Sequence, residues 1–233
     1  MRLLSLSTAE QGASLALFND GVLDCHIYWA SRLTHSVRLM AMVEDMLRVR
    51  AGVELSEMDG FIAARGPGSF TGLRIGISVV KGLAYGVSKP CAGVSSLDGI
   101  GYRFSQASQP VCVMMDAKRN EVYAAVYQFE GGLLKQKSRE LVCPPEQAVS
   151  LAGDAALFVG SGSKAYQDLI SGLTKNRAGF SCPTMDYVCA VALARQALMG
   201  EDFFENHKNE LVPTYLRQSD AEIHLQKKAQ LDM

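Results

Sequence analysis

Arg65-Gly66-Pro67-Gly68-Ser69-Phe70-Thr71-Gly72-Leu73-Arg74-Ile75-Gly76 is the stretch on which the fold turns. It follows Phe61 to Ala64, a short apolar run that reads as a buried strand, and leads into a segment where Leu73, Ile77, Val80 and Ala84 recur at helical spacing. A glycine-rich turn from strand to helix leaves amides free at the helix start, where an anion can be held. The spacing is, however, neither G-x-G-x-x-G nor G-x-x-x-x-G-K-[ST]. The competing reading is a tight turn whose glycines supply unusual backbone angles while Phe70 plugs the core, and on composition alone it is the stronger.

The helix that follows carries three strips. Leu73, Ile77, Val80 and Ala84 suit a sheet, Arg74, Ser78, Lys81 and Tyr85 recur on another side, and Gly72 and Gly76 form a third. Glycine inside a helix costs about 0.8 to 1 kcal/mol relative to alanine, and Gly72, Gly76, Gly82 and Gly86 all lie in or at the ends of this one. Close approach of another backbone would offset that cost. The backbone belongs either to this chain or to a partner's helix, and the sequence leaves both open.

Upstream, Arg2 to Leu6, Ala13 to Phe18 and Val22 to Trp29 read as three strands, the last two joined by the hairpin signal Asn19-Asp20-Gly21. From Ser36 to Val49 the spacing of Leu39, Met40, Val43, Met46 and Leu47 predicts a helix, capped at Thr34 or Ser36 and stopping near Gly52. With Met42 and Val49 its apolar residues cover more than one stripe, and a methionine-rich surplus suits an adaptable interface. The order is β-β-β-α-β-α.

A similar order restarts after Pro110. Val111 to Asp116, Glu121 to Phe129 and Leu133 to Ser138 read as strands, Pro145 to Ala152 as a helix and Ala156 to Val159 as a buried strand. Gly160-Ser161-Gly162-Ser163 then falls where Gly66 to Ser69 fell. Two such halves, residues 1–108 and 109–233, describe an α/β chain of the actin-like (ASKHA, ribonuclease-H-like) class, in which a nucleotide commonly occupies the cleft. Fold alone does not establish that activity. A helix from about Tyr187 to Leu198, the run Pro213-Thr214-Tyr215-Leu216-Arg217 and a frayed polar tail beyond Ser219 complete the reading.

Composition narrows the function. No apolar run approaches the roughly 18 residues of a membrane span, and the N-terminus is too soon broken for a secretory signal, so a cytoplasmic protein with no membrane association is expected. The six cysteines form no C-x-x-C and read as buried free thiols. A net charge of −1 offers no broad attraction for nucleic acid. His26, His35, His207 and His224 provide no metal-ligand spacing and no H-E-x-x-H occurs, which disfavours a metallopeptidase; His35 reads as a helix-start or interface residue. Gly68-Ser69-Phe70 and Gly160-Ser161-Gly162-Ser163 do not fit the G-x-S-x-G of a serine nucleophile. An actin-like ATPase or phosphotransferase acting alone needs metal-organising carboxylates, and only Asp116 and two glycine loops are at hand.

The Arg65 to Gly76 stretch, together with Asp116-Ala117-Lys118-Arg119-Asn120-Glu121-Val122-Tyr123 and Pro213-Thr214-Tyr215-Leu216-Arg217, resembles the TsaB (YeaZ) family over nearly the whole chain. The loop Gly66, Pro67, Gly68, Ser69, Phe70, Thr71 and Gly72 is its most specific part. The resemblance implies an actin-like fold that is not an enzyme by itself. It implies pairing through the first two helices with the catalytic homologue TsaD, cooperation with the small ATPase TsaE, and a part in threonylcarbamoyl transfer to the adenosine next to the anticodon of tRNA. Carried over by position, the partner interface is Leu39, Met42, Val43 and Met46 on the first helix and Arg74, Ile77, Lys81 and Tyr85 on the second. The same helices would make a homodimer of the free chain. No cofactor is expected. The family usually ends its first strand with Asp-Thr, where this chain has Ser7-Thr8, so a cleft formed by Ser7, Thr8, Asp116, Gly160 and Gly162 lacks a carboxylate suited to magnesium-phosphate.

Overall fold

Asp20 and Gly21 both take positive φ, +49° and +77°, the pair of left-handed residues whose twist matches a two-residue hairpin. They join β2 (Gly12–Asn19) to β3 (Val22–Ala30). In this computed structural model, which describes residues 1–30, 35–199, 203–206 and 211–217, β1 (Arg2–Ser7) lies antiparallel to β2 and parallel to β4 (Gly60–Gly66). β4 continues parallel to β5 (Cys91–Ser95), so the first sheet runs β3-β2-β1-β4-β5.

The second sheet repeats that plan. It contains β6 (Val111–Asp116), β7 (Val122–Glu130), β8 (Leu133–Lys137), β9 (Leu141–Cys143), β10 (Leu157–Val159) and β11 (Gly179–Phe180). Its order is β8-β7-β6-β10-β11, with β9 pairing to β7 beyond the end of β8. Three antiparallel strands followed by two parallel ones, present twice, is the duplicated actin-like arrangement. The fifth strand of each sheet and β9 escape the sequence reading because Cys91-Ala92-Gly93-Val94-Ser95 is small and mixed while β9 and β11 have three and two residues.

The first helix, α1 (His35–Glu44), widens into a π-helical stretch, Asp45–Ala51, that ends on Gly52 at φ +66°. The cap candidate Thr34 lies outside the described residues. α2 (Phe70–Gly86) starts earlier than Thr71 because the Ser69 side chain accepts the Gly72 amide at 3.2 Å. Short helices follow: α3 (Asp98–Gly101), α4 (Pro145–Ala152), α5 (Ser161–Ala165), α6 (Gln167–Leu173), α7 (Ala190–Leu198) and α8 (Phe203–Asn206).

One face of the first sheet is covered by α1, the π-helical stretch and α2, with Leu4, Leu6, Leu15, Leu39, Met46, Phe61 and Val80 buried between them. The other face packs Leu3 and Ile62 into a continuous core with Val113 and Tyr127 of the second sheet and Leu193 of α7. α7 comes late in the chain yet lies against β1, β2 and β4.

The glycines of α2 divide into two kinds. A Cβ on Gly72 would collide with the Thr8 carbonyl oxygen and one on Gly76 with the Thr8 hydroxyl, and that hydroxyl donates to the Gly72 carbonyl at 2.7 Å. For these two the close neighbour is the chain's own Thr8, just past the end of β1, through its backbone at Gly72 and its side chain at Gly76. Gly82 and Gly86 are exposed, with nothing within 4 Å of an added Cβ. Gly72→Ala is therefore expected to lose about 1–3 kcal/mol of unfolding free energy through overpacking, while Gly82→Ala gains up to about 1 kcal/mol from helix propensity. Urea denaturation of the two variants checks the contrast.

Candidate functional site

Three separate stretches of sequence meet around the turn from β4 into α2. Gly66 adopts φ +118°, and a side chain there would strike the carbonyl oxygen of Thr214, whose own amide donates to the Arg65 carbonyl at 2.7 Å. The Ser69 amide donates to the Ala9 carbonyl at 2.7 Å, which fixes the turn against the end of β1. Pro67 is buried, Gly68 is half-buried, and Thr71 is exposed at the first turn of α2. With the Gly72 amide on the Ser69 hydroxyl and the Leu73 amide on the Ser69 carbonyl, much of the donor capacity proposed for an anion is spent within the chain.

Phe70 does not plug the core. It is 38% exposed, stacks on Tyr215 with ring centroids 4.8 Å apart, and carries the Arg74 guanidinium 3.9 Å from its centroid. The reason is helical geometry: Phe70 opens α2 on the side that Arg74 occupies one turn later. Arg74 Nε donates to the Tyr215 hydroxyl at 3.0 Å. Two residues on, Arg217 donates to the Ala117 carbonyl at 2.7 Å and pairs with the Glu121 carboxylate. The segment 214–217 thus ties the β4–α2 turn of the first half to the β6–β7 turn of the second.

Beside this junction a cavity of about 890 Å³ separates the halves, with Glu10, Asp116, Lys118, Ser161, Lys164 and Asp186 among its walls. Its three carboxylates are engaged with neighbouring amides and side chains. Glu10, from the β1–β2 turn, accepts the Val188 amide at 3.0 Å and the Ser161 hydroxyl at 2.8 Å. Asp186 accepts the Gly160 amide at 2.7 Å and the Ser181 hydroxyl. Asp116 accepts the Lys118 amide and ammonium at 2.8 and 2.6 Å. Burial pushes the Glu10 carboxyl above its ordinary range, against the bonds from Val188 and Ser161, and Asp186 adds to the rise. A glycine loop whose amide already holds a carboxylate has less to give a phosphate.

Of the five expected cleft residues, Asp116 alone is among the lining residues. Ser7 and Thr8 are buried at the end of β1, Ser7 accepting the Ala9 amide at 3.3 Å and Thr8 turned to α2. Gly160 and Gly162 are packing glycines, where an added Cβ would lie 2.5 and 2.9 Å from the Met114 carbonyl oxygen. Glu10 and Asp186 are marked by no local pattern, their partners Val188 and Gly160 lying 178 and 26 residues away, while Ser161 is legible only as part of the second glycine loop.

The expected interface set also divides. Leu39, Val43, Met46 and Ile77 are buried in the chain's own core, where they meet the first sheet, and cannot face a partner. Ile77 belongs to the inner strip of α2 with Leu73, Val80 and Ala84. Arg74, Lys81 and Tyr85 are exposed, Tyr85 at 89%, and Met42 is half-buried. Met40 and Val49 on the first helical segment, and Ile75, Val79 and Gly82 on α2, join that accessible face. The last three follow one another at steps of four and three, which the sequence offered.

His26 packs with its Nε2 3.1 Å from the Ser14 hydroxyl oxygen. His207 and His224 lie outside the described residues. Among the described residues no group of three or more His, Cys, Asp or Glu could hold a metal ion, and no helix is long and apolar enough to cross a membrane.

A family model described as TsaD, tRNA N6-adenosine threonylcarbamoyltransferase, matches residues 29–225. The TsaB protein of Escherichia coli K12, named for tRNA threonylcarbamoyladenosine biosynthesis, is 35% identical over 95% of this chain and 96% of its own length. That of Haemophilus influenzae is 32% identical over 93% and 94%. The solved structure of YeaZ from Pseudomonas aeruginosa superposes with a TM-score of 0.77 at 32% identity, covering 92% of this chain and 99% of that one.

Burial favours the protonated form of Glu10 in the folded state, so the stability linked to it is full below the unfolded value near 4.5 and is lost as pH rises through the folded value. Glu10→Gln, which can accept from Val188 and donate to Ser161, is expected to flatten that decline. Glu10→Ala leaves both partners unmatched and costs about 1–3 kcal/mol. Urea midpoints at several pH values across this range compare the three proteins.

Proposed function

Because the chain belongs to the TsaB (YeaZ) family, non-catalytic relatives of the TsaD transferase, we propose that it is the accessory subunit that binds and activates TsaD, together with the ATPase TsaE. The reaction it serves is threonylcarbamoyl transfer to the adenosine next to the anticodon of tRNA, and the chain meets tRNA through the complex. Similarity to TsaB proteins along nearly its whole length is the observation that carries this reading.

The surface of α1 and α2 supports it. Once the inner strips are consumed by the core, Arg74, Lys81 and Tyr85 remain with Met42, Ile75 and Val79 as a mixed face. Exposed Tyr and Arg beside half-buried apolar side chains are the residue types that dominate interface energetics. Gly82, bare on this face, admits close approach of a partner backbone. With no partner present, the same face pairs with itself in a homodimer. Residues 1–108 would then carry docking and 109–233 the second half of the scaffold, in the cytoplasm where tRNA is modified.

The alternative, an ATPase acting alone, is disfavoured by a cavity whose amides and hydroxyls hold its own carboxylates. ATP used by the complex is handled by its other members. Lys81→Glu combined with Tyr85→Ala is expected to weaken binding to TsaD by about tenfold or more while leaving the thermal transition of the isolated chain within a few degrees. Calorimetric titration against purified TsaD measures the first and circular dichroism the second. Undiminished affinity in the double variant would move the docking surface elsewhere.

A further inference from the structure

A second cavity, of about 290 Å³, opens where β3, the Tyr102–Phe104 turn and the start of α7 meet. It is at the small end of ligand sites, which run from roughly 300 to 1,000 Å³. Tyr187 stands between it and the inter-half cavity, lining both and stacking on Tyr28 with centroids 3.8 Å apart. The walls hold His26, Arg103 and Arg195, and among the described residues no carboxylate lines them.

Arg103 is fixed. One of its amines donates to the Met185 carbonyl at 2.8 Å, and its guanidinium carbon lies 4.4 Å from the centre of the Tyr187 ring. Arg195 is exposed, and among the described residues its side chain makes no ion pair. Ser14 from β2 and Cys189 from the segment before α7 face His26 Nε2 at 3.1 and 3.9 Å. Two guanidinium groups and an imidazole around a partly apolar hollow, without an acid to balance them, form a surface complementary to one negative charge on a small body.

We propose that this cavity binds a small organic anion, its carboxylate or phosphate head held by Arg103 and Arg195 and its apolar portion resting on Tyr102, Val191 and Ala192. Burial, with the charge of Arg103 behind it, holds the His26 imidazole below its ordinary value. A negative head group beside the ring opposes the Arg103 charge and favours the imidazolium, so binding takes up a proton at His26 and tightens as pH falls.

The test follows the imidazole signals of the intact chain by proton NMR while pH is varied, with the His26 signal assigned from the spectrum of H26Q. Benzoate and phenyl phosphate are the probes, with sodium chloride holding ionic strength constant. The expected result is a saturable rise of the His26 midpoint by about half a pH unit or more with at least one probe. That rise should fall at least about twofold in R195Q, whose exposed position leaves the fold intact by circular dichroism. The stronger of the two probes identifies the head group. Failure of both probes to move His26 saturably, or an equal rise in R195Q, would overturn the proposal.

Discussion

Arg217 holds the Ala117 carbonyl and the Glu121 carboxylate of one half while Tyr215, two residues earlier, stacks on Phe70 and accepts from Arg74 of the other. On this strap the relation between the two sheets depends. Glu10 reaches across the cleft in the opposite direction to Val188 and Ser161, and the buried Asp98 carboxylate gathers the Tyr127 hydroxyl, Lys137 and Gln196 at 2.7, 2.6 and 3.1 Å. Each hydrogen bond to a charged group contributes about 1.5–3 kcal/mol. A cleft tied at three points by such bonds resists opening. It is suited to presenting a fixed outer surface.

The outer surface is a consequence of how α2 is seated. Thr8 draws Gly72 and Gly76 against β1, which fixes the rotation of the helix about its axis. With that rotation set, Leu73, Ile77, Val80 and Ala84 face the sheet, and Arg74, Lys81 and Tyr85 face away. The glycine content of α2, costly in a free helix, thereby has two physical uses: close packing at its start, and a bare ridge at Gly82.

The duplicated strand order was legible because the period-2 and helical patterns of β1 to β4 and of β6, β7 and β10 are local, as is the Asn19-Asp20-Gly21 hairpin. Short strands such as β5 and β11 take their identity from neighbours and carry no pattern of their own. The three motifs behind the family resemblance were read as separate signals. Their contact through Thr214, Tyr215 and Arg217 spans about 100 residues or more in sequence, and no spacing rule reaches that far. Helical periodicity named Leu39, Val43, Met46 and Ile77 correctly as one side of two helices, but apolarity alone could not say whether that side met a partner or the chain's own sheet. Phe70 shows the converse, an aromatic residue kept at the surface by its position at the head of a helix.

In the proposed role this chain acts by supporting a catalytic partner. The direct measurement is threonylcarbamoyl transfer to unmodified tRNA in a reaction containing TsaD, TsaE, ATP and the synthase that makes threonylcarbamoyl-adenylate, with and without this chain. Transfer is expected when the chain is added, little or none when it is omitted, and no modification by the chain alone. Full transfer in its absence would show that the chain is dispensable to the reaction.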